Sequence, residues 1–162
     1  MLPCHIRWMI RRDMKEVLAI ESEVFDYPWC DDDFVRCLRQ RNCIGLVAER
    51  NQAVVGFVIY ELHKTRLHIL NLAVDPVYQR QRIGAQLVNK LASKLTPQYR
   101  TRIMLEIRET NLAAHLFFRA MGFKAISVLR DHYEDTEEDA YLFRYDHQGH
   151  SSGAVPLEGA AS

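Results

Sequence analysis

The sequence predicts an α/β (α+β) fold in which a mixed sheet of about seven strands is flanked by about four helices. Two patterns support this prediction. Apolar residues at alternate positions or in short runs indicate strands, and apolar residues three and four positions apart indicate amphipathic helices. Along the chain these segments follow as one strand, two helices, three strands, a helix, a strand, a helix and two strands.

The N-terminal part of the chain predicts one strand and two helices. Residues 5–10 form the strand, and Asp13 with Glu16 three positions later is a capping-box variant that begins a helix. Proline disfavours helical geometry in the residue before it, so this helix ends before Pro28. Residues 31–39 predict a second, shorter helix.

The middle of the chain predicts a hairpin, another strand and a long helix. Residues 44–48 and 54–62 are strands, and the polar residues 50–52 form the turn that joins them. A further strand over residues 67–74 ends at an Asp-Pro pair. Residues 83–95 carry apolar side chains at helical spacing, which indicates an amphipathic helix.

The C-terminal part predicts a strand, a helix and two more strands. Arg102–Arg108 alternates between an apolar face and a face that carries Glu106. Thr110 or Asn111 caps the next helix, and Gly122 ends it. The remaining strands are predicted at residues 123–129 and 141–145.

One domain is predicted over residues 1–145, because a chain of 162 residues commonly forms a single domain. Residues 146–162 are poor in large apolar side chains and rich in Gly, Ser, Ala and His. A segment of this composition buries too little apolar surface to be held in place, so a flexible C-terminal tail is predicted.

The balance of charge excludes some classes of partner. The 21 Lys and Arg residues offset 21 Asp and Glu residues, whereas general nucleic-acid and acidic-membrane binders carry an excess of Lys and Arg. The longest apolar run, residues 53–60, is far shorter than the ~20 residues of a membrane-spanning helix. We therefore predict no direct binding to nucleic acid and no membrane association.

Cysteine usage predicts a cytoplasmic protein without a metal site. The four cysteines form no Cys-x-x-Cys pair and no Cys/His cluster with zinc spacing. We interpret them as reduced thiols that behave as small apolar side chains. They are Cys4, Cys30, Cys37 and Cys43.

A strand followed by a loop and a helix, over residues 72–85, carries the first functional pattern. The first N–H groups of a helix lack intrahelical partners and, together with the helix dipole, form a site for phosphate-like anions. Arg80 and Arg82 add positive charge at the same place. Taken alone, the pattern fits an anion site and a basic loop beside a structural helix equally well.

This loop resembles the acyl-CoA pyrophosphate loop of the GCN5-related N-acetyltransferase (GNAT) superfamily, whose pattern is Gln/Arg-x-x-Gly-x-Gly/Ala. Gln79 and Gly84 match the pattern, whereas Arg82 stands at the first glycine. Glycine tolerates unusual backbone dihedrals there. We expect Arg82 instead to take helical geometry at the start of the helix, with its side chain directed to solvent or to a CoA phosphate.

A second pattern resembles the same superfamily. Residues 25–29 and 71–76 are similar to segments of the RimI-type group, the bacterial ribosomal-protein N-terminal alanine acetyltransferases. The resemblance extends over about residues 6–145. The family spacing is also kept by Leu105, Glu106, Ile107, Arg108, Asn111, Ala114, Phe118, Gly122 and Phe123.

The resemblance implies an acyltransferase that moves the acetyl group of acetyl-CoA to the N-terminal α-amino group of a protein. The implied acceptor is a basic ribosomal protein with an N-terminal alanine, and the enzyme is expected to be a monomer or weak dimer without a metal. Two alternatives stay open. One is acetylation of lysine side chains or of a small amine, and the other is a non-catalytic acyl-CoA-binding module.

The resemblance assigns catalytic roles to two positions. Glu106 stands at the family's general base, and an amine with a pKa near ~8 needs only a modest base. The alternative is that Glu106 is an ordinary exposed carboxylate on a strand.

Phe118 stands at the position of the family's general-acid tyrosine, so the hydroxyl is absent. We expect Phe118 to keep a packing role beside the pantetheine sulfur, while water, a hydroxyl such as that of Tyr133, or no donor at all serves the departing thiolate.

The resemblance also implies a set of cofactor-binding residues. Asn111 bonds the cofactor in the family, and it is equally suited to be a plain helix N-cap. Residues 72–74 match the strand segment whose backbone pairs with the pantetheine amides. The full set implied for acetyl-CoA is Leu72, Ala73, Val74, Gln79, Arg80, Gln81, Arg82, Ile83, Gly84, Ala85, Asn111 and Phe118.

Aromatic residues and two acidic clusters are predicted to form the part of the site that binds the acceptor. The aromatic residues after the first helix either line the pocket for the first acceptor residue or pin their loop to the core. Acidic clusters at residues 31–33 and 134–139 are predicted to attract a basic peptide, the alternative being ordinary solvated loops. The predicted acceptor-binding residues are Phe25, Tyr27, Trp29 and Tyr133, the last of which resembles a family tyrosine that contacts peptide backbone.

Overall fold

A computed structural model describes residues 3–148 as a seven-stranded sheet with four α-helices, which confirms the predicted fold class and order of elements. The strands are β1 His5–Trp8, β2 Cys43–Arg50, β3 Ala53–Leu62, β4 Arg66–Val74, β5 Arg102–Arg108, β6 Lys124–Tyr133 and β7 Glu138–Asp146. The helices are α1 Met14–Val24, α2 Asp31–Leu38, α3 Ile83–Ala92 and α4 Leu112–Ala120.

The strands lie in the order β1-β2-β3-β4-β5-β7-β6 in one mixed sheet. Neighbours β1, β2 and β3 are antiparallel, as are β5, β7 and β6, whereas β4 and β5 are parallel. The β4–β5 ladder is short, because it pairs residues 66–68 with residues 102–104. The C-terminal half of β4 therefore lies outside this ladder.

The chain forms two compact units, of which the first comprises the residues up to Leu62 together with Ile69–Lys90. Its hairpin between β2 and β3 turns at Asn51 and Gln52, whose φ angles of 53° and 67° suit a two-residue turn that matches the twist of the strands. Its core consists of almost fully buried side chains from α1, α2, β2 and β3. They include Val17, Ile20, Phe34, Val47, Phe57 and Ile59.

The first helix does not begin with the predicted capping box. Asp13 precedes α1 without capping it, and its carboxylate accepts hydrogen bonds from both terminal nitrogens of Arg7 (2.8 and 2.9 Å) and from the N–H of Ile10 (2.8 Å). Glu16 accepts the N–H of Val54 instead (3.2 Å). The prediction is wrong because hydrogen bonds from a guanidinium stabilise a buried carboxylate more than a neutral cap does, and they lower the pKa of Asp13.

The second unit comprises His63–His68 together with the described residues from Leu91 onward. As predicted, β5 buries one apolar face and carries Glu106 on the other. Helix α4 ends before Gly122, whose φ of 98° is readily adopted only by glycine. The buried side chains of this unit include Ile103, Leu105, Ile107, Phe118, Phe123 and Phe143.

The last two strands are longer than predicted. The β6–β7 ladder continues past two irregularities until Tyr133 pairs with Glu138. Polar cross-strand contacts hold this extension, among them the ion pair of Arg130 with Asp139 (3.0 Å). The sequence pattern missed the extension because these residues lack apolar alternation.

The predicted tail has an ordered beginning. Asp146 is the last residue of β7, and the backbone N–H of His147 donates to the carbonyl of Thr101 (2.7 Å). These two residues are therefore held in the second unit. Gln148 donates a side-chain hydrogen bond to the Tyr145 hydroxyl (3.0 Å), and residues 149–162 of the predicted tail lie outside the described residues.

Candidate active site

The loop after β4 has the geometry of an anion site. Asp75 accepts the N–H of Val77 (3.0 Å) and thereby shapes the short turn Pro76–Tyr78. The carbonyl of Arg82 accepts the N–H of Gln86 (3.0 Å), so Arg82 is the residue that precedes α3. The first N–H groups of α3 consequently have no helical acceptor, and the helix dipole favours a negative charge beside them.

Two arginines of this loop take the left-handed backbone conformation. Arg82 has a φ of 62° and Arg80 a φ of 66°, so the predicted helical geometry of Arg82 is wrong. The chain needs a left-handed residue where the superfamily pattern has glycine, and a residue with a Cβ loses about 1–2 kcal/mol there. The loop thus keeps a glycine-type path and carries two guanidinium groups on it.

A further arginine contacts the loop from the β2–β3 hairpin. The guanidinium of Arg50 donates a hydrogen bond to the side-chain oxygen of Gln81. Sequence reasoning missed Arg50, because the two residues are 31 positions apart and the hairpin has no local functional pattern. Arg50 therefore adds a third positive charge close to the predicted phosphate site.

Residues 72–74 form the end of β4 and lie outside the β4–β5 ladder. Ala73 is buried against β3, where a Cβ added to Gly56 would lie 3.1 Å from the Ala73 carbonyl oxygen. Leu72 and Val74 are half-buried on the opposite face. The contact of these residues with pantetheine stays a prediction.

Glu106 has a specific partner on the neighbouring strand. His68 Nε2 lies 2.8 Å from Glu106 Oε1, and both side chains are largely buried. Burial by itself raises the pKa of Glu106, but the hydrogen bond from His68, together with weaker interactions, outweighs it, so this pKa lies below its usual range. Glu106 is therefore an ionised, half-buried carboxylate rather than an ordinary exposed one. Sequence reasoning missed His68.

Tyr133 is poorly suited to donate a proton. The Arg108 guanidinium lies 3.9 Å from the centre of its ring. Burial raises the pKa of Tyr133 to about 12, although the charge of Arg108 acts in the opposite direction. A thiolate whose conjugate acid has a pKa near ~8.5 is a much weaker base than such a phenolate. Proton transfer from Tyr133 to a departing thiolate is consequently unfavourable.

Phe118 is a core residue. Its side chain is 4% exposed, and its ring contacts Phe117 and Phe123 edge to face, with centroids 4.9 and 5.1 Å apart. These contacts make Phe118 part of the core of the second unit. Its packing beside the pantetheine sulfur stays a prediction.

Asn111 is the N-cap of α4, where its Oδ1 accepts the N–H of Ala114 (3.2 Å). This resolves the choice between two predicted caps, because the Thr110 hydroxyl instead hydrogen-bonds Glu138. The side-chain oxygen of Asn111 is thus engaged in the cap. Its bond to the cofactor remains a prediction.

A buried carboxylate holds the loop after α1. Glu21 is 1% exposed and accepts the backbone N–H of Trp29 at Oε2 and the side-chain N–H of Asn71 at Oε1, both at 2.8 Å. Burial raises the pKa of Glu21 despite these two donors. Sequence reasoning missed the role of Glu21, because its partners come from a loop and from β4.

The aromatic residues of this loop differ in their environment. The ring of Trp29 packs edge to face on the core residue Phe34, with centroids 5.0 Å apart, which supports the interpretation that it pins the loop. Phe25 also packs on the core. Tyr27 is 52% exposed, whereas Phe25 and Trp29 are half-buried, so Tyr27 is the most accessible of the three side chains.

The acidic cluster at residues 134–139 is partly neutralised within the protein. Arg108 forms ion pairs with Asp135 (2.7 Å) and Glu138 (3.2 Å). The hydrogen bond from Arg108 lowers the pKa of Asp135, whereas hydrogen bonds from Thr110 and, more weakly, from Arg108 lower the pKa of Glu138. Asp139 pairs with Arg130. In the cluster at residues 31–33, Asp33 accepts the backbone N–H of Cys30, the N-cap residue of α2, and pairs with Arg36. The carboxylates outside these pairs are Asp31, Asp32, Glu134 and Glu137.

The described residues also bear on metal binding, on membrane crossing and on the state of the cysteines. Between residues 3 and 148, no group of three or more His, Cys, Asp or Glu side chains is arranged to hold a metal ion. No helix in the same range has the length and apolar character needed to cross a membrane. All four cysteines are free thiols, and burial raises the pKa of Cys37 and Cys43, whose sulfur atoms lie 2.9 Å apart.

This chain is similar to known proteins over most of its length. The model of the acetyltransferase (GNAT) family matches residues 10–123. The chain is similar to the ribosomal protein bS18-alanine N-acetyltransferase of Escherichia coli strain K12, with 28% identity over 80% of this chain and 88% of that protein. It is similar to the N-alpha-acetyltransferase RimI of Mycobacterium tuberculosis, with 29% identity over 89% and 93%. The crystal structure of the E. coli ribosomal-protein-S18-alanine N-acetyltransferase aligns with a TM-score of 0.78 and 26% identity over 88% and 93%.

Proposed function

Because this chain belongs to the acetyltransferase (GNAT) family, we propose that it transfers the acetyl group of acetyl-CoA to the N-terminal α-amino group of a protein. The E. coli relative is named for the alanine of ribosomal protein bS18. The proposed acceptor is accordingly a basic ribosomal protein with an N-terminal alanine. The enzyme is proposed to act on it in the cytoplasm, as a monomer or weak dimer.

The observation that carries this proposal is the hydrogen-bonded pair of Glu106 and His68 at the position of the family's base. The lowered pKa of Glu106 means that its carboxylate is ionised at neutral pH. An N-terminal amine has a pKa near ~8, so this carboxylate can take its proton, directly or through a water, as the nitrogen attacks the thioester carbon.

The first unit supplies groups that suit an acyl-CoA. Acetyl-CoA provides the activated acetyl group as a thioester. Arg80, Arg82 and the first N–H groups of α3 would hold its pyrophosphate, because they combine formal charge with unsatisfied backbone donors. The backbone of residues 72–74 would hold the pantetheine amides. The donor set therefore fits the cofactor even though Arg82 replaces a glycine.

Replacing Arg82 by glycine is expected to separate backbone strain from charge. Glycine adopts positive φ without steric cost, so the free energy of unfolding should rise by about 0.5–1 kcal/mol. Loss of the guanidinium should raise the KM for acetyl-CoA by about threefold to tenfold. Urea unfolding and steady-state kinetics measure the two effects.

Replacing Arg82 by alanine is the matched control. Alanine removes the same charge but keeps a Cβ in the left-handed conformation, so KM should rise without any gain in stability. Equal unfolding free energies for the glycine and alanine variants would show that Arg82 is not strained.

No side chain needs to protonate the departing thiolate. Phe118 has no hydroxyl, and Tyr133 is too weak an acid. The thiol of CoA resembles a cysteine thiol with a pKa near ~8.5, so its thiolate is already a fair leaving group and can take a proton from water. This accounts for catalysis without the tyrosine of the family pattern.

The proposal is tested by incubating the protein with acetyl-CoA and a panel of acceptors. The panel contains a basic peptide with N-terminal alanine, the same peptide with a blocked N-terminus and an internal lysine, and a small amine. Mass spectrometry identifies the modified nitrogen. We expect acetylation of the free α-amino group, with kcat/KM falling as ionic strength rises because Asp31, Asp32, Glu134 and Glu137 attract the basic peptide.

Other results would reject the proposal in distinct ways. Modification of the internal lysine or of the small amine alone would assign a different acceptor class. Binding of acetyl-CoA without turnover on any acceptor would indicate a non-catalytic module. A kcat/KM that is independent of salt would reject electrostatic attraction while leaving the chemistry intact.

A further inference from the structure

A histidine on β4 contacts the proposed base from the neighbouring strand. His68 occupies the register position of Met104 on β5, so it shares a face of the sheet with Glu106. Its Nε2 lies 2.8 Å from Glu106 Oε1, and its side chain is only 13% exposed. The contact is therefore short, specific and partly shielded from water.

Arg66 determines which nitrogen of His68 carries the proton. The Nε of Arg66 donates a hydrogen bond to His68 Nδ1 (3.4 Å). A guanidinium has donors and no acceptor, so Nδ1 must present its lone pair. The proton of the neutral ring is consequently on Nε2, which donates it to Glu106. Both ring nitrogens are then engaged, so His68 has no lone pair with which to act as the base itself.

Other charges around the pair have smaller effects on Glu106. Burial disfavours its ionised form, and the hydrogen bond from His68 is the largest interaction that offsets this. The charge of His132 acts in the same direction as His68 but more weakly. The titratable and charged groups near the pair are His63, Arg66, His132 and Tyr133, and Arg144 lies opposite Met104 in the β5–β7 ladder.

We propose that His68 is a positioning residue for acetyl transfer, which holds Oε1 of Glu106 through its Nε2–H and leaves Oε2 to accept the proton of the acceptor amine. The inference rests on the proposed function. In the step, the amine nitrogen forms the bond to the acetyl carbon, the carbon–sulfur bond breaks, the thiolate leaves and the amine proton goes to Oε2. His68 keeps its own proton throughout.

Two substitutions of His68 test this role. His68→Leu removes the donor at similar size, whereas His68→Gln keeps an N–H near the place of Nε2. In His68→Leu, the acidic limb of the kcat/KM profile that belongs to Glu106, which lies at lower pH than the limb set by the acceptor amine, should move to higher pH, because Glu106 then needs a higher pH to ionise. This should appear as about a tenfold loss of kcat/KM on the acidic side and a smaller loss at high pH. His68→Gln should restore the limb and most of the activity.

His63→Leu is the matched control. It removes an imidazole whose ring lies 6.3 Å from that of His68, and it should leave the acidic limb unchanged. An unmoved limb in a folded His68→Leu protein would overturn the proposal, since a purely structural histidine lowers activity equally at all pH values. A His68→Gln protein as inactive as His68→Leu would overturn it too.

A readout that does not need turnover separates this inference from the proposed function. The ¹³C chemical shift of the Glu106 carboxyl carbon follows its ionisation, and its midpoint should be higher in His68→Leu than in the wild type. A wild type that acetylates no acceptor would reject the proposed function. In that case an identical midpoint in the two proteins would reject control by His68, and a raised midpoint would support it.

Discussion

Replacing Glu106 by glutamine is expected to slow acetyl transfer by about 10²–10⁴-fold while the protein stays folded. Glutamine has nearly the same shape, and its carbonyl oxygen can still accept the Nε2–H of His68. It cannot take a proton from the amine, so the step that depends on a base is lost. Steady-state kinetics with the basic alanine peptide measure the loss, and thermal unfolding confirms the fold.

Glu109→Gln provides the control for a change of charge. Glu109 is exposed at the end of β5, where its carboxylate accepts the N–H of Asp139 (3.1 Å). This variant should keep turnover within about twofold of the wild type, because a surface charge distant from the reacting atoms has a small effect. Near-normal turnover in a folded Glu106→Gln protein would exclude Glu106 as an essential base.

Replacing Glu21 by alanine is expected to lower the free energy of unfolding by about 3 kcal/mol. The Trp29 N–H and the Asn71 side chain would lose their acceptor, and each unsatisfied buried donor costs about 1–3 kcal/mol. The loop that carries Tyr27 would lose its anchor, so the KM for the peptide should rise more than the KM for acetyl-CoA. Urea unfolding and the two KM values measure these effects.

Two further variants serve as controls for the effect of Glu21→Ala on stability. Glu21→Gln keeps one oxygen acceptor and should lose less stability than Glu21→Ala. Glu23→Ala removes an exposed carboxylate two residues away on α1 and should change the unfolding free energy by less than about 0.5 kcal/mol. A loss below about 1 kcal/mol in Glu21→Ala would mean that water replaces the lost acceptor and that the loop does not depend on Glu21.

Element positions could be predicted wherever a local pattern and the tertiary environment agree. Arg102–Arg108 has the bounds that its alternating pattern predicts, because one face is buried and the other is not. The β6–β7 extension could not be predicted in this way, since polar pairs such as Arg130 with Asp139 hold it. Apolar periodicity carries no information about such pairs.

Part of the candidate site could also be predicted, because it follows a local sequence pattern. The spacing of Gln79, Gly84, Glu106 and Asn111 follows the family pattern, so their positions could be recognised in the sequence. The backbone of Arg82 could not be predicted correctly, because its side chain gave no indication that the loop would retain the left-handed path.

The order of strands and helices and the family of this protein can be recognised without a structure, because periodicity and motif spacing are properties of neighbouring positions. The partners of the buried polar groups depend on the three-dimensional fold. Glu106 meets His68 across 38 positions, and Glu21 meets Asn71 across 50. A buried carboxylate is stable only if donors reach it, and those donors come from whichever strand or loop the fold brings beside it.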